Sequence, residues 1–183
     1  VALGAILTQN TNWRNVARVL KTLKARGLLD PLALARMDPA ELAALLRPAG
    51  YYNLKAARIR HFLAFLLEHA GGSLEVLAAE PLEELRPALL AVKGIGPETA
   101  DSILLYALHK PTFVVDAYTF RVLSRHGVVP ERLGYEKLRA LFLNHLPPEV
   151  PLYQEFHALL VRLGKEFCRP RPRCAGCPVE GWP

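Results

Sequence analysis

The 183 residues include one methionine, two tryptophans and three cysteines, and these scarcities exclude several kinds of protein. All three cysteines lie after residue 167, so they cannot staple the chain as a whole, and a chain this long buries a core without disulfides. No apolar run approaches the roughly 18 residues of a membrane-spanning helix. Hydrophobic residues make up 51% of the chain, too many for intrinsic disorder. Charge of one sign is only modestly in excess: 23 Lys and Arg against 17 Asp and Glu give +6. An excess of that size favours a polyanionic partner without establishing one. Strand pattern is scarce as well. The β-branched run Thr112–Val115 could be a strand, but no second segment is there to pair with it. No basic segment precedes the apolar residues at Val1, so no signal peptide is expected, and truncation is expected at both ends.

The helical period dominates what remains. Val16, Val19, Leu20 and Leu23 recur at helical spacing, with Arg14, Arg18 and Lys21 on another face. Asp38-Pro39-Ala40-Glu41 is a helix start, with an Asp cap, Pro in the first turn and Glu three residues on. A long amphipathic helix is expected from Asn53 to His69, with Ile59, Phe62, Phe65 and Leu66 inward and Lys55, Arg58 and Arg60 outward. Gly71-Gly72-Ser73 closes it and caps a short helix from Leu74. A helix from near Pro87 to Val92, another from Pro97 to about Leu108, and helices at 116–126, 135–146 and 151–167 complete the pattern. The expected class is all-α, in two lobes that share intimate contact because no long linker separates them. The boundaries are set at residues 1–110 and 111–183.

The most informative segment runs from Leu89 to Leu104. Two short helices flank Gly94-Ile95-Gly96, where absent Cβ atoms allow a tight turn and let a phosphate approach the backbone. The helix that starts at Pro97 turns its unpaired N–H groups and positive dipole end toward that phosphate. Ile95 is expected between the two helices, and Lys93 as a phosphate contact or an exposed charge. A bare Gly-x-Gly would equally suit an ordinary helix–turn–helix connection. Asp116 follows Phe113-Val114-Val115 at a helix start, where a carboxylate serves as an N-cap and is favoured in its ionised form.

The segment Val92-Lys93-Gly94-Ile95-Gly96-Pro97-Glu98-Thr99-Ala100-Asp101 resembles the helix-hairpin-helix of the endonuclease III superfamily of DNA glycosylases. The resemblance extends over nearly the whole chain, through four motifs in the family's order. Gly4 to Thr11 resembles the first barrel helix, Arg47 to Ala57 the Gly-aromatic-Asn-x-Lys-Ala segment, Val114 to Val122 the Val-Asp motif, and the C-terminal cysteines the iron–sulfur loop. The wording Thr-Gln-Asn-Thr and Lys-Gly-Ile-Gly-x-Glu-Thr-Ala-Asp is most similar to the 3-methyladenine glycosylase branch. The implied fold is a two-lobed helix-hairpin-helix glycosylase, with the hairpin at about 87–108 in the barrel lobe and the carboxylate and metal loop in the second lobe.

The resemblance implies a base-excision-repair enzyme that everts a damaged base from double-stranded DNA and hydrolyses its N-glycosidic bond. It makes Asp116 the catalytic carboxylate. It places Gln9 and Tyr51 at two DNA-penetrating loops and Trp13 in the base pocket, although Gln9 could bond backbone carbonyls and a Trp that starts a helix could be core. Members that also cut the strand carry a Lys where Glu98 stands, so a monofunctional enzyme acting on alkylated purines is expected. Glycosylases for oxidised pyrimidines or mismatches, and a non-catalytic hairpin module, are the alternatives. Clustered cysteines suggest a metal. The resemblance makes Cys168, Cys174 and Cys177 ligands of a [4Fe–4S] cluster whose fourth Cys would stand near Pro183 and is not in this chain, with zinc as the competitor. Arg169, Arg171 and Arg173, alternating with prolines, form either a phosphate track or a solvated loop. The six histidines receive no chemistry. A monomer with no membrane partner, cytoplasmic and nucleoid-associated in a prokaryote, is expected.

Overall fold

Short polar side chains cap the starts of five of the eleven α-helices in the computed structural model, which describes residues 1–182. A helix leaves its first N–H groups unpaired, and an Asp, Asn or Ser just before it supplies the missing acceptor. α1 (Ala2–Leu7) is followed by α2 (Trp13–Ala25), where the Asn12 side chain accepts from the Asn15 N–H. Asp30 caps α3 (Pro31–Arg36) and Asp38 caps α4 (Pro39–Leu46), each with Pro in the first turn. A 3-10 turn at Arg47–Ala49 leads into α5 (Tyr52–Ala70), which Gly71 ends in the left-handed conformation. Ser73 caps α6 (Leu74–Ala79). α7 (Leu82–Ala91) and α8 (Pro97–Tyr106) form the hairpin. Asp116 caps α9 (Ala117–Arg125), and α10 (Tyr135–His145) and α11 (Val150–Glu166) follow.

The chain divides into two compact units, Val1–His109 and a second that begins at Lys110. In the first, α5 lies against α3, α4 and α6, while α1 packs on α8 and α8 on α7. Ile6, Leu23, Leu46, Ile59, Leu66, Leu89 and Leu104 are all essentially inaccessible there. Ile95 joins that core at 4% exposure, so the turn of the hairpin is anchored by its middle residue. In the second, α9 packs along α11. Phe113 stacks on Phe142 at 3.8 Å and meets Tyr153 and Phe156 edge-on.

Two expectations need correction. Lys55 does not point outward: it is 1% exposed, and its Nζ donates to the Ala49 carbonyl at 2.7 Å. Burial and the neighbouring Arg58 charge both lower its pKa. The carbonyl needed a donor and the flexible stem could supply one, which a count of apolar spacing does not reveal. The hairpin's first helix begins at Leu82 rather than near Pro87, and it carries Pro87 inside. Burial of Leu85 and Leu89 on either side of that proline outweighs the backbone hydrogen bond it forgoes. Thr112–Val115 forms no strand, and no strand occurs among the described residues. Its β-branched character reflects burial, since all four residues are at most 5% exposed.

Candidate active site

In the first unit, two glycines shape the hairpin turn. Gly94 has φ +93°, a left-handed conformation that a side chain would strain. A Cβ there would stand 2.5 Å from Arg58 Cγ, so the bare backbone makes room for the arginine stem. Gly96, the residue before α8, makes no side-chain cap, which leaves the N-terminal amides of that helix without a capping side chain. Lys93, Gly94, Gly96 and Glu98 are all exposed around this turn. The two hairpin helices are tied by Arg86, whose Nε and Nη2 donate to the two Asp101 carboxylate oxygens at 2.9 and 3.0 Å. Asp101 is fully buried, so that fork holds the relative placement of α7 and α8.

Gln9 is bonded to the hairpin. Its Nε2 donates to the Gly94 carbonyl at 3.2 Å and to Thr99 Oγ1 at 2.9 Å, while Oε1 accepts from Arg58 Nη1. The resemblance implies Gln9 at a loop, but nothing in the sequence signals these partners, which lie 49 to 90 positions away. Tyr51 is 68% exposed, with φ +46° between Gly50 and α5. A bulky residue held left-handed and open to solvent is uncommon, and strained exposed residues gather at functional sites. The buried Lys55 bond to Ala49 holds the carbonyl by which the chain enters this turn. Trp13 is not core. It is 56% exposed, and a Cβ added at Gly4 would lie 3.6 Å from its ring, so the ring covers that glycine.

The second unit holds the carboxylate. Asp116 Oδ1 accepts from the Thr119 N–H at 2.7 Å and the Thr119 hydroxyl at 2.9 Å. Oδ2 faces His157 Nε2 at 3.7 Å, and both side chains are nearly buried, at 12% and 13% exposure. Burial alone would raise the Asp116 pKa. The His157 ring, the Thr119 N–H and the Thr119 hydroxyl outweigh it and hold the group below the usual carboxylate range. No role for His157 is legible in the sequence. Nothing in the spacing relates it to Asp116, and only helix packing brings the two together.

The C-terminal loop is pinned by two arginines of α9. Arg121 Nε donates to the Cys168 carbonyl at 2.6 Å and Nη2 to the Gly164 carbonyl at 3.1 Å. Arg125 Nη1 donates to Cys168 Sγ at 3.4 Å and Nη2 to the Pro170 carbonyl at 2.8 Å. Cys168 is buried, Cys174 exposed and Cys177 half-buried. Three thiols are the right donor chemistry for a soft metal centre. Among the described residues, however, no three His, Cys, Asp or Glu side chains are gathered as a metal site requires. Pro183, near which a fourth cysteine would stand, lies outside the described residues. Arg169, Arg171 and Arg173 are exposed.

The profile of the HhH-GPD superfamily of base excision DNA repair proteins matches residues 3–148. A candidate DNA repair glycosylase of Methanocaldococcus jannaschii is 45% identical over 98% of this chain and 82% of its own length. Endonuclease III of Thermotoga maritima is 32% identical over 97% of this chain and 78% of its own. Among solved structures, the H. pylori 3-methyladenine DNA glycosylase bound to 1,N6-ethenoadenine superposes with a TM-score of 0.77 at 32% identity, covering 90% of this chain and 83% of that one. The chain belongs to the HhH-GPD superfamily of base-excision DNA repair proteins and is a DNA glycosylase of that family. No helix among the described residues is long and apolar enough to cross a membrane.

Proposed function

We propose that the chain is a monofunctional glycosylase that removes alkylated purines, of the 3-methyladenine type, from double-stranded DNA and leaves the abasic strand uncut. The observation that carries the reading is the Asp116 carboxylate, nearly buried yet held ionised by its partners. Breaking an N-glycosidic bond leaves positive charge on the sugar, and a fixed anion stabilises that charge as it develops. The same carboxylate can orient the attacking water or take its proton. The base must leave the stack first, because its bond to the sugar is shielded in the duplex. The uncapped amides of α8 and the side chain of Lys93 hold a strand phosphate. Gln9 and Tyr51 fill the gap that the base vacates.

Two observations support the alkylated purine. The indole of Trp13 is largely exposed, so it can stack on an everted base, and a π-face attracts a cationic purine by about 0.5–2 kcal/mol. The 3-methyladenine enzyme of H. pylori is 32% identical. The equal identity to an endonuclease III favours a second reading, release of oxidised pyrimidines or mismatched bases. Glu98 supports the monofunctional assignment, since a carboxylate cannot form a Schiff base with the sugar. Cys168, Cys174 and Cys177, with a fourth ligand outside the described residues, are proposed to hold an iron–sulfur cluster that would brace the loop behind α9. The donor set and the Arg125 bond to Cys168 support this, with zinc as the competing metal. The protein is proposed to act as a monomer in the prokaryotic cytoplasm, at the nucleoid.

A panel of duplex oligonucleotides bearing single lesions tests the catalytic reading, with products resolved before and after alkaline cleavage. Wild type should release alkylated purines and leave strands that break only in alkali. Asp116→Asn should bind the duplex as before and lose about 10²- to 10⁴-fold in turnover. A near-full rate in Asp116→Asn defeats the assignment. Efficient covalent trapping by borohydride defeats the monofunctional claim, and preference for oxidised pyrimidines hands the substrate to the second reading. The purified protein should be brown and contain iron and acid-labile sulfide. Zinc in their place would decide for the competitor.

A further inference from the structure

α11 presents one face to the start of α9. His157 and Gly164 are seven residues apart, two helical turns, so they lie on the same side of α11. At Gly164 the two helices touch so closely that a Cβ would stand 2.5 Å from Tyr118 Cδ1. The same face, two turns earlier, brings His157 to Asp116, two residues before Tyr118. The ring edge of Phe113, 6.5 Å away between centroids, limits where the imidazole can lie. The two carboxylate oxygens are therefore in different situations. Oδ1 is engaged twice by Thr119, and Oδ2 faces an imidazole nitrogen at ion-pair distance.

We propose that His157 is the positioning residue of the Asp116 carboxylate: when protonated, its ring pairs with Oδ2 and keeps the group ionised and oriented while Thr119 fixes Oδ1. The inference rests on the reading of Asp116 as the catalytic carboxylate. In a nearly buried setting a carboxyl drifts toward its neutral form, which can neither stabilise a sugar cation nor take a proton from water. A cation facing Oδ2 reverses that drift. His157 serves this purpose better than a lysine on a long stem, because its ring is held between Phe113 and the helix.

Several other charges on these elements are engaged elsewhere. Arg121 bonds the carbonyls of Gly164 and Cys168, Arg125 bonds the loop at Cys168–Pro170, and Lys165 lies over the Tyr118 ring. Arg162 pairs with Glu166 on the same helix, and Arg139 of α10 bonds Thr112 and faces Glu136. His157 is the titratable group whose ring faces Oδ2, at 3.7 Å.

A carboxylate whose pKa is lowered by a cation stays ionised to lower pH, so removing the cation moves the acid limb of the rate upward. Single-turnover release of bases from dimethyl-sulfate-methylated duplex DNA, corrected for the enzyme-free rate, would be followed against pH for wild type, His157→Gln and His157→Lys. His157→Gln should shift the acid limb of the rate upward by roughly one pH unit. His157→Lys, which restores a cation, should return at least part of that shift. An acid limb unchanged in His157→Gln, with Asp116→Asn inactive, overturns the positioning role and leaves the catalytic reading standing. Activity in Asp116→Asn overturns the catalytic reading itself. Should His157→Gln fail to fold, carbon-13 NMR of the wild-type Asp116 carboxyl decides. Its shift should follow the His157 ring titration as well as its own, and a single step independent of the ring refutes the pairing.

Discussion

Gly94 lacks a side chain where Arg58 needs the space. The positive φ and the 2.5 Å approach to Arg58 Cγ act together, so the position is closed to other residues on two separate grounds. Gly94→Ala should destabilise the fold by about 1–3 kcal/mol through backbone strain and the displaced arginine. It should also loosen the Gln9 bonds to the hairpin and weaken duplex binding. Gly96→Ala should do less harm to both, because a Cβ at that glycine meets nothing within 4 Å. Denaturant melts and fluorescence-anisotropy binding of both variants check this. The tight turn at the two glycines was legible, but the reason only one of them is sterically obligatory was not. Arg58 comes to Gly94 from a different helix, and no local pattern encodes that meeting.

At the scale of elements, caps and packing divide the work. The Asp-Pro start of α4, the Gly71 stop of α5 and the Ser73 start of α6 were all readable, because each is a bond between a side chain and its own neighbouring backbone or a turn that glycine alone permits. The burial of Lys55 and the start of α7 at Leu82 were not, since both are decided by what the helix packs against. The approach of α9 to α11 is of the second kind. Gly164→Ala places a methyl 2.5 Å from Tyr118 Cδ1 and 2.8 Å from its Cβ, so the helices must separate. A destabilisation of about 1–3 kcal/mol is expected by thermal or chemical melting. Because the same helix face carries His157, the variant should also lose glycosylase activity at a temperature where it remains folded.

For the molecule as a whole, the modest net charge of +6 bears on affinity rather than on fold. Lys93 at the hairpin and the exposed Arg169, Arg171 and Arg173 of the cysteine loop are candidate phosphate contacts on the two compact units. Each phosphate neutralised contributes about 0.9 to the slope of log affinity against log salt. Replacing Arg169, Arg171 and Arg173 together by Gln should therefore flatten the slope by roughly 2–3 if all three form a phosphate track, and leave it unchanged if they only solvate the loop. Titrations of duplex DNA at several salt concentrations measure the difference.

The amino-acid sequence on its own determined the helical class, most helix limits, the hairpin turn and the identity of Asp116 as a carboxylate at a helix start. Those properties rest on bonds within a turn or two, or on a periodic apolar face. The tertiary structure alone decided that Gln9 bonds to the hairpin, that Arg86 ties its helices through Asp101, and that Trp13 stays open. It alone set His157 against Asp116. These are contacts between residues far apart in the chain, and their energies exist only after the helices have packed.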